Sequence, residues 1–188
     1  MRDSTITASA WPRLSARGFA VPILFAALIS IGGYLRIPIP GTPVPLTMQV
    51  IFVLLAGAFQ TPPAAAASVL LFLGAGLAGA PVFSGGGAGV AYLLGPTGGY
   101  LAGFVVGAWL CSVMLRGRRD SAPRTALAMC AALCVIHLLG ALHLSLYLGA
   151  SFASALSMGV LPFLPLDLLK VAAAAAFVTG CSALSQKR

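Results

Sequence analysis

Within the apolar segment LPFLPLDLLK, residues 161–170, two side chains could do chemistry. Asp167 and Lys170 stand three residues apart, so on a helix they share a face and reach each other. The carboxylate accepts hydrogen bonds and the ammonium donates them, which offers a ligand both halves of a polar recognition site. The chain has only three acidic residues, Asp3, Asp120 and Asp167, and no Glu. A buried ion pair adds little net stability, and charges at membrane depth usually face an interior or a cavity. A ligand role is therefore expected ahead of simple mutual neutralisation that holds helices together.

Other polar groups are sparse. Thr47, Gln49, Tyr92 and Thr97 are the candidates near Asp167 and Lys170 in the arrangement argued below. Gln49 offers a donor and an acceptor, and an interhelical hydrogen bond serves as well as a ligand contact. The run Ser84-Gly85-Gly86-Gly87 could turn backbone N–H groups toward an anion, or act as a flexible lid. Arg36 suits an anion's partner or a solvated loop residue. His137 and His143 are six apart, which is not one helix face, so satisfied interior histidines are expected rather than a metal site. Cys130 and Cys134 share a face as packing residues, and Cys111 and Cys181 complete no zinc or disulfide spacing. No metal and no cofactor are expected. The chain has no phosphate-binding GxxxxGK[ST] loop, GxSxG elbow or HExxH motif, so no enzyme activity is expected.

The elements that must position these residues follow from composition. The chain is 60% apolar and 7% charged, against about 25% charged in soluble domains. Its apolar stretches approach the roughly 20 residues that cross a bilayer core. The expected fold is all-α: one integral membrane domain, 1–188, of six transmembrane helices at about 18–35, 44–60, 62–80, 90–115, 122–148 and 161–184. The net charge of +8 does not point to nucleic acid, because the cations flank apolar segments. With both termini cytoplasmic, nine cations lie inside: Arg2, Arg13, Arg17, Arg116, Arg118, Arg119, Arg124, Lys187 and Arg188. Arg36 alone lies in an external loop, as the positive-inside rule requires. Spans two, four and six then enter from outside, and their polar residues gather there as a pocket lidded by loops 36–45 and 80–90. Glycines 95, 99, 103 and 107 form a small-residue ladder suited to close helix packing.

Four segments carry a family resemblance: PGTPVPLTMQ (40–49), GAPVFSGGGAG (79–89), LLGPTGGYLAGF (93–104) and LPFLPLDLLK (161–170). They resemble the BioY family, the biotin-specific S components of energy-coupling factor transporters, over nearly the whole chain. One departure is Leu166, where the family usually has glycine before the aspartate. The resemblance implies a multi-pass protein of a prokaryotic cytoplasmic membrane, in contact with lipid, that captures biotin from outside. It implies delivery inward with a transmembrane coupling subunit and a pair of ATPases. On this basis Asp167 and Lys170 meet the ureido ring, and Val82, Phe83 and Tyr92 wall the apolar part. Gln49, Arg36 or the backbone of Ser84, Gly85 and Gly86 receive the carboxylate. The resemblance also points to the first span for coupling-subunit docking, at Ala26 and Ser30 beside Ala16 and Ala20. Competing readings are an S component for another vitamin, an intramembrane enzyme built on Asp167 and the histidines, and a structural membrane subunit.

Overall fold

The computed structural model describes residues 16–116 and 118–186, with side chains for 19–116 and 118–184. Arg2, Asp3, Arg13, Lys187 and Arg188 lie outside the described residues, as do the side chains of Ala16 and Arg17. The helices are α1 (Ala16–Tyr34), α2 (Gln49–Phe59), α3 (Pro62–Leu77), α4 (Val90–Leu93), α5 (Gly98–Leu115), α6 (Ala122–Leu148), α7 (Phe152–Gly159) and α8 (Leu164–Gln186). Between α1 and α2, strands β1 (Arg36–Ile37) and β2 (Leu46–Thr47) pair antiparallel, with Arg36 opposite Thr47. A single 3₁₀ turn spans Ser84–Gly86.

Local chemistry sets these limits. Pro62 and Pro63 occupy the first turn of α3, where proline's missing N–H costs nothing. The Ser151 side chain accepts from the Ser154 N–H and starts α7. Gly149 ends α6 at φ 60°, the left-handed conformation that glycine tolerates best.

Two of the expected spans are interrupted. Residues 44–48 are not helical, because Pro43 and Pro45 favour an extended chain and β2 pairs with β1. The stretch 90–115 breaks at Gly95-Pro96-Thr97, between α4 and α5. Before α8, an additional short helix, α7, precedes a turn at 160–163. The described residues are mostly helical, as expected, with one small hairpin of two-residue strands between α1 and α2. Gly98–Leu115, Ala122–Leu148 and Leu164–Leu184 are long and apolar enough to cross a membrane, whereas Phe19–Tyr34, Gln49–Phe59 and Pro62–Leu77 are shorter apolar helices. The 11 residues of α2 rise about 16 Å, roughly half of a ~30 Å hydrocarbon core.

The helices pack around a core that includes Ile29, Leu54, Phe72, Phe83, Met129 and Ile136. α5 and α6 pack closely, because glycines 99, 103 and 107 let their backbones meet. A Cβ on Gly103 would stand 2.9 Å from Cα of Ile136, and one on Gly107 would stand 2.9 Å from Cγ1 of the same residue. Gly57 of α2 lies as tightly against Ala108 and Cys111 of α5. Outside the core, Leu127, Leu146, Leu169 and Leu184 are exposed, as side chains bathed in hydrocarbon would be.

Candidate ligand cavity

The cavity lies at one end of the bundle. The N-terminal ends of α2, α5 and α8 meet there with Ile136 and His137 of α6, the segment 44–47 before α2, and Ser84, Tyr92 and Thr97. Its volume is about 50 Å³, below the roughly 300–1,000 Å³ usual for small-molecule sites. Apolar walls come from Val44, Leu46, Val50, Leu101, Phe104 and Phe163.

The charged end is built on α8. Pro165 lies in its first turn, and Asp167 and Lys170 turn inward, 3% and 7% exposed. Nζ of Lys170 donates to Oδ1 of Asp167 at 2.7 Å and to the Thr47 carbonyl at 2.7 Å. The ammonium therefore ties α8 to the non-helical segment before α2. Leu166 is 44% exposed on the outside of the bundle and does not line the cavity.

His137 is a residue that sequence reasoning missed. It was expected to be a satisfied interior side chain. Instead it lines the cavity, with Nε2 3.1 Å from Oδ2 of Asp167. The contact is at ion-pair distance but off the line of a hydrogen bond, and Nδ1 has no partner among the described residues. Tyr100 stands edge-on to the imidazole, centroids 6.3 Å apart, and donates its hydroxyl to the Gly159 carbonyl at 2.7 Å. His143 fits the original expectation better, with Nε2 2.9 Å from the Gly95 carbonyl.

A second polar region comes from Gln49 and Ser84. Both side chains are buried and line the cavity, yet Nε2 of Gln49 and Oγ of Ser84 have no hydrogen-bond partner among the described residues. They lie near each other, since a Cβ on Gly33 would be 3.0 Å from Nε2 of Gln49 and 3.4 Å from the Ser84 nitrogen. An unpartnered buried polar group costs about 1–3 kcal/mol, which is recovered if a ligand completes it.

The remaining candidates divide. Thr47, Tyr92 and Thr97 line the cavity with Asp167, Lys170, Gln49 and Ser84. Phe83, Gly85, Gly86 and Arg36 do not. Phe83 is fully buried behind the wall, stacked on Tyr92 with centroids 5.0 Å apart and edge-on to Phe72 at 5.4 Å. Tyr92 in turn donates its hydroxyl to the Ser84 carbonyl at 3.3 Å. Gly85 and Gly86 take φ of 71° and 80°, which gives the turn its shape. The Arg36 guanidinium lies directly against Gly85, and the hydroxyl of Tyr34 donates to the Pro81 carbonyl. Arg36 and the glycines thus pack on one another outside the cavity lining.

The small residues of α1 form two sides, not one face. Ala20 and Ala26 are six residues apart, which at about 100° per residue sets them about 120° apart around the axis. Ala20 is exposed, while Ala26 packs against the core and accepts the Ser30 hydroxyl at its carbonyl, 2.8 Å away. Ala16 lies in α1 with its side chain outside the described residues.

Known proteins share this architecture. The family model described as "BioY family" matches residues 5–187. "Probable biotin transporter BioY" of Pyrococcus horikoshii is 38% identical over 161 residues, covering 86% of this chain and 93% of the relative. "Biotin transporter BioY" of Thermotoga maritima is 36% identical over 152 residues, covering 81% and 88%. A crystal structure of the S-component for biotin from an ECF-type ABC transporter superposes with a TM-score of 0.83 at 26% identity, covering 92% of this chain and 94% of that one.

Proposed function

The chain belongs to the BioY family, and on that premise we propose that it is a biotin-specific S component of an energy-coupling factor transporter. It is a multi-pass membrane protein of a transporter family. The observation that carries the ligand assignment is the buried Asp167–Lys170 pair, set in the wall of a mostly apolar cavity.

Biotin matches that arrangement. Its ureido ring has two N–H donors and a carbonyl acceptor. Asp167 accepts from one ring N–H, and Lys170 donates to the ring oxygen. Charge-assisted bonds of this kind are the strong ones. The thioether ring and valeryl chain lie along Leu46, Tyr92, Leu101 and Phe104. The chain carboxylate meets Nε2 of Gln49 and Oγ of Ser84, two cavity-lining donors without partners among the described residues. Thr47 supports the site through its carbonyl on Lys170. Phe83, Gly85, Gly86 and Arg36 hold the cover over it.

The protein crosses the cytoplasmic membrane of its prokaryotic host six times, with both termini inside. Two observations support this orientation. The cavity and Arg36 lie at one end of the bundle, and Arg116, Arg118, Arg119 and Arg124 follow α5 and open α6 at the other. Biotin therefore enters from outside. Passage inward needs a transmembrane coupling subunit and a pair of ATPases, which hydrolyse the ATP. The coupling subunit docks on α1, on the exposed side that carries Ala20 rather than the side of Ala26 and Ser30.

Equilibrium binding of labelled biotin to the purified protein in detergent tests the ligand assignment. Saturable tight binding supports it. A well-folded protein that ignores biotin would overturn it, and a panel of other vitamins would then separate a different S component from a structural subunit.

A further inference from the structure

We propose that His137 is a positioning and specificity residue, one that makes the site select a cyclic urea over a cyclic guanidinium. The inference rests on the biotin-binding reading above. It comes from the division of the Asp167 carboxylate: Oδ1 receives Lys170 at 2.7 Å, and Oδ2 stands 3.1 Å from Nε2 of His137.

Both oxygens therefore face a protein group before any ligand arrives. A urea ring points its two N–H bonds away from each other, so it can offer a carboxylate one N–H at a time. A guanidinium offers two parallel N–H bonds and binds best as a fork across both oxygens. His137 beside Oδ2 obstructs that fork and leaves room for a single N–H. Lys170 acts in the same sense, because its ammonium welcomes a carbonyl oxygen and repels a cationic imino group.

The geometry around His137 fits this work. The side chain is 7% exposed and held between the polar cavity and an apolar crevice lined by Leu133, Leu156, Val160, Leu164 and Leu168. Tyr100 stands edge-on to it and is itself fixed by the Gly159 carbonyl. Nδ1 has no partner among the described residues, so no protein acceptor holds the ring in one tautomer. The neutral ring with its proton on Nε2 can donate to Oδ2 once the alignment tightens, as polar contacts in empty sites often do on binding.

The test compares dissociation constants for biotin and for its imino analogue, in which the ureido oxygen is replaced by nitrogen. The analogue is a guanidinium and stays charged at neutral pH, as arginine does. Wild type, His137→Phe and His137→Gln are measured in detergent. His137→Phe is expected to weaken biotin about ten-fold and to narrow the preference for biotin over the analogue by about ten-fold, the effect of one hydrogen bond to a charged group. His137→Gln keeps a donor and is expected to retain most of the preference. Equal loss of both ligands or an unchanged ratio in folded His137→Phe, or loss of the preference in folded His137→Gln, would overturn the proposal and leave His137 as a tie between α6 and α8. Failure of the wild type to bind biotin would instead overturn the ligand assignment on which the proposal rests.

Discussion

The ammonium of Lys170 lies 2.7 Å from Oδ1 of Asp167, one turn earlier on α8. The two partners do not depend on each other equally. Without Asp167, Lys170 keeps the Thr47 carbonyl. Without Lys170, Asp167 keeps only the off-line contact with His137.

Asp167→Asn is therefore expected to fold and to lose biotin affinity by about 10- to 100-fold, the loss of a charge-assisted bond. Lys170→Met is expected to destabilise more, by about 3–5 kcal/mol, because it strands a buried carboxylate. The double substitution should recover much of that stability and none of the binding. Thermal unfolding in detergent and biotin titration measure the two quantities separately. Unchanged affinity in folded Asp167→Asn would remove Asp167 from the site.

Gln49 and Ser84 lead to an opposite sign for stability. Each buries a polar atom with no partner. Ser84→Ala and Gln49→Leu are expected to leave the ligand-free protein as stable as before, or about 1 kcal/mol more stable. Each should weaken biotin about ten-fold by removing a donor to its carboxylate. Analogues lacking that carboxylate should bind wild type and variants alike. Variants that bind biotin normally would place the carboxylate elsewhere in the cavity.

How much of this was legible can be argued residue by residue. Asp167 and Lys170 stood out because their charge conflicts with their apolar neighbours, and a one-turn spacing is enough to pair them. The glycine ladder was legible for the same reason: a four-residue period survives in helix packing, and Gly99, Gly103 and Gly107 face α6. His137 was not legible. Its partner lies 30 positions away, on a helix whose rotation against α6 no local pattern reveals. The hairpin at 36–47 was read as loop and span, since its strands are two residues long and too short for alternation to show. Phe83 looked like a pocket wall, but stacking on Tyr92 places it one layer behind.

Gly103 tests the α5–α6 packing that supports the cavity floor. A Cβ there would stand 2.9 Å from the Ile136 backbone, which cannot move aside as a side chain can. Gly103→Ala is expected to cost about 1–3 kcal/mol through separation of the helices. Gly74, in the last turn of α3, has nothing within 4 Å of the added carbon. Gly74→Ala should instead stabilise by about 0.5–1 kcal/mol, as alanine loses less backbone freedom on folding. Thermal unfolding of the two variants side by side gives the comparison. Equal stabilities would mean that α5 and α6 part easily.

Ala20 tests the partner face without touching the cavity. It is exposed on α1, far along the chain from the ligand-binding end of that helix. A bulky side chain there would keep another helix from approaching closely. Ala20→Trp is expected to bind biotin in detergent as wild type does, because its site has no contact with the cavity lining. Co-purification with the coupling subunit and ATPases, and biotin uptake by the assembled complex, should both fall about ten-fold, the effect of losing about 1.4 kcal/mol at that interface. Normal assembly of Ala20→Trp would move docking off this side of α1, toward the side that carries Ala26 and Ser30, or to another helix.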